Sequence, residues 1–318
     1  MKIKHAFLLQ ATLIALLVAC GAPAPAPTPI PPTPTLPPPP TATASAASVR
    51  YHYVTSSLLV PTTQDQADSF ALNIDGDPQN QPDNLFGRLL ILLNSISPDL
   101  KLQATIDDAV NSGQIVTLHS LQTGDSASWH VFLGQPVTTA PHFDGTDQFT
   151  LNPNAPTNTV LTGTLVNGHF AGGPGEVRAQ LSFLGTPVDV GLVGVRLEAD
   201  VSDKGCINGK LGGGITVSEF RAKLLPAMSD GLNRIIAAEP ADSKLRTTLL
   251  TTLDANSDGS ISADELENNL ILKLATSPDL DLLDASGKFN PRQDGVKDSM
   301  SVGLGFSCAP AIFTAPGE

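Results

Sequence analysis

Side chains with oxygen donors are concentrated in one segment of the chain, between positions 254 and 265. The donors alternate along it: Asp254, Asn256, Asp258, Ser260, Ser262 and Glu265. Ca²⁺ takes about six to eight oxygen ligands, and a short loop supplies them only when alternate residues point inward. The spacing therefore predicts a calcium site, and a solvated acidic turn is the alternative interpretation.

The segment resembles an EF-hand loop, matched position by position. Gly259 stands at position 6, where the family needs a sharp turn, and Glu265 stands at position 12, where both carboxylate oxygens close the site. The resemblance implies that Ser260 offers its backbone carbonyl and that Ser262 holds a bridging water. Ile261, at position 8, is expected to pack into the neighbouring core.

Apolar residues at helical spacing flank the segment on both sides. Those leading in are Leu245, Leu249, Leu250 and Leu253, and those leading out are Leu266, Leu270, Ile271 and Leu274. The EF-hand resemblance therefore covers about Ser243–Leu274 and implies one helix on each side of the loop. The sequence contains no second full loop to pair with it.

Two further acidic segments are weaker candidates for metal binding. Asn73–Asn84 has the spacing of acidic calcium loops in secreted repeats, with Asp75, Asp77 and Asp83 as candidate ligands. It lacks a closing Glu, so a polar helix-capping turn is the alternative. The other segment carries Asp279, Asp281, Asp284, Asp294 and Asp298, but Leu, Phe and Lys residues interrupt any standard loop.

Residues that could support catalysis are scattered. His119 and His130 would suit a metal pair if they faced each other across a predicted hairpin, and half-buried strand histidines are the alternative. The sequence has no GxSxG nucleophile motif and no HExxH motif. We therefore expect no enzymatic activity, although a hydrolase with an Asp/Glu pair on distant strands stays open as an alternative.

The elements that would position these residues follow from periodicity and turn signals. We predict a strand at Arg50–Val60, helices at Leu85–Ile96 and Leu102–Val110, hairpin strands at Gln114–Gln122 and Ala127–Leu133, and short strands throughout Asp147–Ile215. Lys210–Gly214 is interpreted as a bulge or turn, because it lacks the Lys-Ser/Thr of a phosphate loop.

The remainder of the chain is predicted to be mainly helical. Thr216 and Glu219 form a plausible capping box, and Pro226 should kink or split the helix that follows. Further helices are expected at Ser243–Leu253 and Ala263–Ala275, and a strand at Val296–Phe313 should return to the sheet. The predicted class is α+β: an antiparallel β-sandwich or partial barrel with a helical EF-hand segment near the C-terminus.

The first 48 residues have a different composition. Residues 1–20 combine a basic start with a short apolar stretch, as in a signal peptide. Leu17–Cys20 resembles the lipobox of bacterial lipoproteins, which implies that Cys20 is acylated and anchors the chain to a membrane. Residues 21–48 are rich in Pro and small residues, and this composition predicts a disordered, extended linker.

The globular part spans residues 49–318, and we expect its β-rich portion (49–215) and its helical portion with the returning strand (216–318) to form one domain. Cys206 and Cys308 are its only cysteines. Outside the cytoplasm such a pair favours a disulfide, and two separate thiols are the alternative. The formal net charge of −13 argues against nucleic acid as a partner.

The layout of anchor, linker and domain, with the acidic segments 73–84 and 294–306, resembles uncharacterised surface lipoproteins of environmental bacteria. We therefore expect a lipid-anchored, extracytoplasmic protein with Ca²⁺ as its cofactor. The ion would stabilise the fold or present a binding face. The alternatives are the hydrolase and a module that binds a glycan or a cell-surface protein.

Overall fold

The computed structural model describes residues 48–79, 82–124, 126–137 and 140–317. The predicted signal peptide, the lipobox cysteine Cys20 and all but the last residue of the predicted linker lie outside the described residues. In the described part of the chain, no helix is long and apolar enough to cross a membrane.

The strands of the described residues form one antiparallel sheet. They are β1 (Arg50–Leu59), β2 (Thr117–Gln122), β3 (Ala127–Pro136), β4 (Phe149–Leu151), β5 (Val160–Val166), β6 (His169–Phe183), β7 (Thr186–Ser202), β8 (Gly205–Thr216) and β9 (Ser299–Pro310). The order is β2-β1-β9-β8-β7-β6-β5-β3-β4, and β2 also pairs with β3. The C-terminal strand β9 therefore lies between β1 and β8.

Helices account for most of the remaining regular structure. They are α1 (Gln64–Phe70), α2 (Leu85–Ile96), α3 (Leu102–Asn111), α4 (Val217–Glu219), α5 (Leu225–Ala238), α6 (Lys244–Leu253), α7 (Ala263–Asn268) and α8 (Leu270–Ala275). Helix α2 packs against β9, α3 against β1, and α5 against β6 and β7. The predicted helix Leu85–Ile96 is confirmed at both ends.

The α+β class and the antiparallel pairing are confirmed, but the predicted two-sheet sandwich is wrong. All the strands belong to a single sheet, in which β2 pairs with both β1 and β3, and β9 joins β1 to β8. Lys210–Gly214 is also not a bulge or turn, since it runs in regular register along β9 from Lys210↔Gly305 to Gly214↔Ser301. Opposite Gly212–Gly214, a register shift lies in the neighbouring strand β7, between Val193 and Arg196.

Alternating strand residues build an aromatic centre in the main core. Trp129 is fully buried, and its ring centroid lies 5.0 Å from that of Phe170 and 6.3 Å from that of Tyr53. The Tyr53 hydroxyl donates to the carbonyl of Ser202 at 2.8 Å. Burial raises the pKa of this hydroxyl well above its usual range. The large rings therefore fix the mutual positions of β1, β3, β6 and β7.

The two cysteines of the globular part form the predicted disulfide. Cys206 and Cys308 are directly opposed in the β8–β9 register, with their Cα atoms 4.7 Å apart. The bond links positions 102 residues apart, so in the chain-entropy account it stabilises the fold by about 4–5 kcal/mol. It holds the C-terminal strand in place beside β8.

The helical stretch after β8 lacks the predicted capping box, and it is divided beside Pro226 as predicted. The Thr216 hydroxyl accepts from the backbone N–H of Glu219 at 3.2 Å, but the capping box is incomplete. The Glu219 carboxylate instead accepts from the N–H of Gly191 at 2.8 Å. Pro226 cannot donate a backbone hydrogen bond, and the chain passes through a π-helical turn at Phe220–Leu224 before α5 begins.

Candidate metal centre

The 254–265 loop follows α6, and the short helix α7 begins within it at Ala263. Helix α6 presents Leu245, Leu249 and Leu253 to the core, and all three are buried. This stripe orients the end of the helix, so Asp254 follows directly at its C-cap. Gly259 has a φ of +88°, a conformation that glycine adopts without strain, and so permits the sharp turn.

The predicted single helix Ala263–Ala275 is wrong, because the chain breaks at Asn269. Its backbone is extended, and its side-chain oxygen accepts from the N–H groups of Ile271 at 3.1 Å and Leu272 at 3.2 Å. Asn269 therefore caps a new helix, α8. The break changes the phase, so Leu270 and Leu274 are 72% and 71% exposed instead of packing as predicted.

The carboxylate and amide oxygens at the start of the loop organise its turn. Asp254 accepts from the N–H groups of Asp258 at 3.2 Å and Gly259 at 2.9 Å. The side-chain oxygen of Asn256 accepts from the N–H of Asp258 at 2.8 Å. Asp258 in turn accepts from the N–H and hydroxyl of Ser260, at 2.9 and 2.7 Å. Three successive candidate ligands thus hold the loop in a tight coil.

Glu265 connects the two ends of the loop. Its Oε1 accepts from the N–H groups of Ala255 at 2.9 Å and Asn256 at 3.1 Å, on the far side of the turn. Its Oε2 accepts from the N–H and hydroxyl of Ser262, at 2.8 and 2.9 Å, and so completes a capping box at the start of α7. The structure therefore brings Glu265 to the first residues of the segment.

Hydrogen bonds keep these carboxylates ionised. The hydroxyl and N–H of Ser260 hold the pKa of Asp258 below its usual range. The pKa of Glu265 is also lowered, first by the N–H of Ser262 and then by that of Asn256. Both side chains face water, so their negative charge carries little desolvation penalty. Metal binding requires deprotonated ligands, and these two residues meet that requirement at neutral pH.

The donor set of the loop fits Ca²⁺ better than a softer metal. Its donors are carboxylate, amide, hydroxyl and carbonyl oxygens, which suit a hard cation. Among the described residues, however, no three His, Cys, Asp or Glu side chains are grouped closely enough to hold an ion. The loop carboxylates bond to backbone N–H groups instead. Because an ionised carboxylate has about four acceptor positions, some remain for a cation.

The two weaker candidate segments lie together. Ile74 packs with Leu280 and Leu282 in a small buried cluster, and Arg292 lies 3.4 Å from the Asp77 carboxylate. Asp83 accepts from the N–H of Ile74 at 3.4 Å. Sequence analysis considered the segments 73–84 and 279–298 separately. In the structure they pack against each other as one unit.

Asp75 and Asp279 lie close enough to Asp83 for their charges to act on its carboxyl group, and we call these three residues the inner acidic cluster. Burial raises the pKa of Asp83 to about 6; the Ile74 N–H opposes this change, and the charges of Asp75 and Asp279 reinforce it. Burial also raises the pKa of Asp279, against the opposing hydrogen bonds from Ser301. These acids are poorly solvated, unlike those of the 254–265 loop.

The other aspartates of the 279–298 segment hold the backbone in place. Asp281 accepts from the N–H of Gly295 at 2.6 Å, and its second oxygen is buried without a hydrogen-bond partner. Asp298 accepts from the N–H groups of Leu282 and Leu283, the latter at 2.9 Å. Asp284 closes an exposed turn over Ser286.

At the start of α2, Asn84 performs the helix-capping role that was the alternative for the 73–84 segment. Its side-chain oxygen accepts from the N–H of Gly87 at 3.0 Å. The same side chain exchanges hydrogen bonds with both backbone groups of Gly303 in β9, at 3.0 and 2.9 Å. The segment therefore ties the start of α2 to the sheet.

His119 and His130 do not form the metal pair that the sequence left open, because they point to opposite faces of the sheet. His119 is opposite Val131 in the register, and His130 is opposite Ser120. His119 is buried, bonded to Thr55 at 2.8 Å and to the Trp129 indole at 3.0 Å. Burial lowers its pKa to about 3, so it stays neutral and serves the core.

A cavity of about 390 Å³ lies on the sheet, and its lining includes Glu176, Arg178 and Glu219. Burial alone would raise the pKa of Glu219. Hydrogen bonds from Lys223 and the Gly191 N–H outweigh it, and together with the charges of Lys223 and Arg178 they lower the pKa below its usual range. The carboxylate is therefore ionised and engaged with cationic neighbours. Sequence analysis did not identify Glu176 and Glu219 as neighbours, because they are 43 positions apart, on β6 and α4.

Sequence analysis also missed two polar residues that contact the 254–265 loop. Ser229 and Asn233, one helical turn apart on α5, both bond to the backbone of Ile261. The available signal was a polar pair at i, i+4 beside an apolar stripe of the same helix. It did not indicate a partner in the loop.

No protein-family model matches this chain, and comparisons with curated proteins and with solved structures give no match either.

Proposed function

We propose that this chain is a calcium-binding, lipid-anchored extracytoplasmic protein without catalytic activity, in which Ca²⁺ stabilises the fold or presents a binding face. The observation that carries the proposal is the position of Glu265. Its carboxylate reaches across the loop to the N–H groups of Ala255 and Asn256. Position 12 of the EF-hand resemblance is thus next to position 3, as a closing ligand must be.

The residues that would hold the ion are those of the sequence pattern: Asp254, Asn256, Asp258, Ser260, Ser262 and Glu265. A bound Ca²⁺ would neutralise the carboxylates of Asp254, Asp258 and Glu265, which otherwise repel one another. With three ligand carboxylates and no pairing loop, we expect a Kd of about 10⁻⁴–10⁻³ M, as in extracellular modules.

An extracytoplasmic location has independent support. The Cys206–Cys308 bond suits an oxidising compartment. The lipobox at Leu17–Cys20 and the proline-rich linker would attach the domain to a membrane at a distance. The protein should partition into detergent when expressed in its native host, and Cys20→Ser should release it; a soluble wild type that keeps residues 1–19 would refute the anchor.

Calorimetric titration of the full-length protein tests calcium binding. CaCl₂ should give a saturable heat with the wild type, and MgCl₂ should give much less, because Mg²⁺ demands near-ideal octahedral geometry and dehydrates reluctantly. Asp254→Asn should weaken the Ca²⁺ response at the first ligand position. No heat with either ion would refute the proposal.

The cavity beside Glu219 favours a second candidate, a hydrolase or glycan-binding module. Glu176 and Glu219 line it together with Arg178. Because Glu219 is ionised and bonded to Lys223 at 2.7 Å, it is better suited to a polar ligand or a base than to an acid. Screening glycans against the wild type and Glu219→Gln tests this candidate, and a response lost in the variant would favour it.

A further inference from the structure

The centre of the 254–265 loop is joined to helix α5 by side-chain hydrogen bonds. Asn233 accepts from the Ile261 N–H at 2.8 Å and donates to the Ile261 carbonyl at 2.8 Å. The Ser229 hydroxyl donates to the same carbonyl at 2.6 Å. Both polar groups of the Ile261 backbone are therefore satisfied by one helix, 28 or more positions away in the sequence.

This arrangement reproduces the bonding of a β-strand neighbour. In an antiparallel pair, two opposed residues exchange both N–H···O=C bonds. The carboxamide of Asn233 offers the same donor and acceptor as a peptide group, and it uses both toward Ile261. The Asn233 side chain thus bonds to the Ile261 backbone as a residue of an adjacent strand would.

Helix α5 is a rigid support for these bonds. It buries Met228, Leu232 and Ile236 in the main core and packs against β6 and β7. The Ile261 side chain is fully buried in the same core. Both the backbone and the side chain at the loop centre are therefore fixed, while the loop residues from Ala255 to Ser260 are exposed.

We infer that Asn233, assisted by Ser229, is a positioning residue that holds the unpaired loop in its binding conformation and couples Ca²⁺ binding to the stability of α5. This inference rests on the proposed calcium function. Ser260 and Ser262 flank Ile261, so a shift of its backbone would displace two candidate ligand positions together. Because coupling between binding and conformation is reciprocal, Ca²⁺ should also protect the Ile261 amide.

The test compares four full-length variants with the wild type, using CaCl₂ titration and thermal melts in EDTA. Asn233→Leu removes both Asn233 bonds at similar volume and should raise Kd about tenfold, the equivalent of about 1.4 kcal/mol. Ser229→Ala leaves the Asn233 bonds in place and should raise Kd less. Asn268→Leu makes the same substitution on α7, where the side chain bonds only to the Asp264 carbonyl, and should leave Kd unchanged.

Arg234→Ala is the control for helix stability. Arg234 donates to the carbonyl of Leu184 at 3.1 Å and does not contact the loop. The Arg234→Ala variant should have a lower melting temperature in EDTA than the wild type and an unchanged Kd for Ca²⁺. A purely structural role for Asn233 would give this same pattern. Hydrogen exchange of the Ile261 amide provides a separate readout: Ca²⁺ should slow it in the wild type and much less in Asn233→Leu.

The outcomes separate the two proposals. If the wild type gives no calcium heat, the proposed function fails and this inference fails with it. If the wild type binds Ca²⁺ and folded Asn233→Leu and Ser229→Ala bind it with unchanged Kd, only the positioning role is overturned. Should Asn233→Leu fail to fold, Ser229→Ala decides alone, by a raised or an unchanged Kd.

Discussion

The 254–265 loop and the inner acidic cluster are both rich in aspartate, but they place the charge in opposite environments. In the loop, Asp258 and Glu265 face water, and hydrogen bonds lower their pKa values. In the cluster, burial and neighbouring carboxylates raise the pKa of Asp83 to about 6. The comparison teaches that desolvation, more than carboxylate count, decides whether an acidic segment carries charge available to a cation.

The hydrogen-bond partners differ in the same way. The loop carboxylates bond to N–H groups of the 254–265 segment itself, and they order only this segment. Asp279, in contrast, accepts from the N–H of Ser301 at 2.7 Å and also from its hydroxyl, across 22 positions. The cluster therefore holds the fold together, whereas the loop has acceptor positions left for a ligand.

The largest effect should come from removing a cluster carboxylate. Asp279→Ala leaves the Ser301 N–H in β9 without its acceptor, which should lower the free energy of unfolding by about 2 kcal/mol. The loss should be equal in CaCl₂ and in EDTA, measured by urea denaturation. Asp284→Ala, in an exposed turn, is the control and should change it by less than about 0.5 kcal/mol. If the loss of unfolding free energy in Asp279→Ala depended on calcium, the contrast between the inner acidic cluster and the 254–265 loop would be wrong.

The next effect concerns pH. The carboxyl of Asp83 titrates near its ordinary value of 3.8 in the unfolded chain and at about 6 in the folded one. The native state therefore binds the proton more tightly, and this group's contribution to stability is lost as pH rises through 6. The slope is at most about 1.4 kcal/mol per pH unit.

Asp83→Asn removes this titration. The stability difference between wild type and variant should decline from about pH 4 to about pH 7 in urea denaturation, and then stay constant. A difference that is flat across the window would show that Asp83 does not titrate in the way its burial implies.

A smaller effect is expected from Asp258→Asn in the loop. The amide oxygen can still accept from Ser260, so stability in EDTA should change by less than about 0.5 kcal/mol. The lost charge should raise Kd for Ca²⁺ about tenfold in calorimetry. If Asp258→Asn lost the same stability with and without calcium, Asp258 would have a structural role like that of the inner acidic cluster, and not a ligand role.

The smallest effect should follow Asp264→Asn. Asp264 stands next to Glu265 but at a non-ligand position of the loop, so only its distant charge matters. Kd should change less than about twofold in the same titration. A change as large as that of Asp258→Asn would mean that general negative charge, and not the ligand positions, attracts the ion.

The helix before the 254–265 loop was predicted from the sequence more accurately than the helical segment after it. The apolar repeat before Asp254 was sufficient to place α6, because one uninterrupted helix buries one stripe. The same logic failed after Glu265, where Leu270 and Leu274 kept helical spacing but Asn269 interrupts the helix. A capping side chain competes with the backbone for N–H groups, and apolar periodicity does not register that competition.

Contacts between distant positions were beyond sequence analysis. Strand alternation separates the faces of His119 and His130, but it does not say which face is buried or that Trp129 bonds to His119. Likewise, Asn233 looks in the sequence like any polar residue of a helix. Its partner, Ile261, is 28 positions away. Only the assembled fold brings them together.

The most direct test of the account is a pair of thermal melts of the full-length protein, one in CaCl₂ and one in EDTA. At a hundredfold excess over Kd, binding to the native state should add about 2.7 kcal/mol of stability and raise the melting temperature. Glu265→Gln weakens the closing ligand and should lose most of that rise. Identical wild-type melting temperatures in both conditions, with no binding heat, would show that Asp254–Glu265 is only an acidic turn.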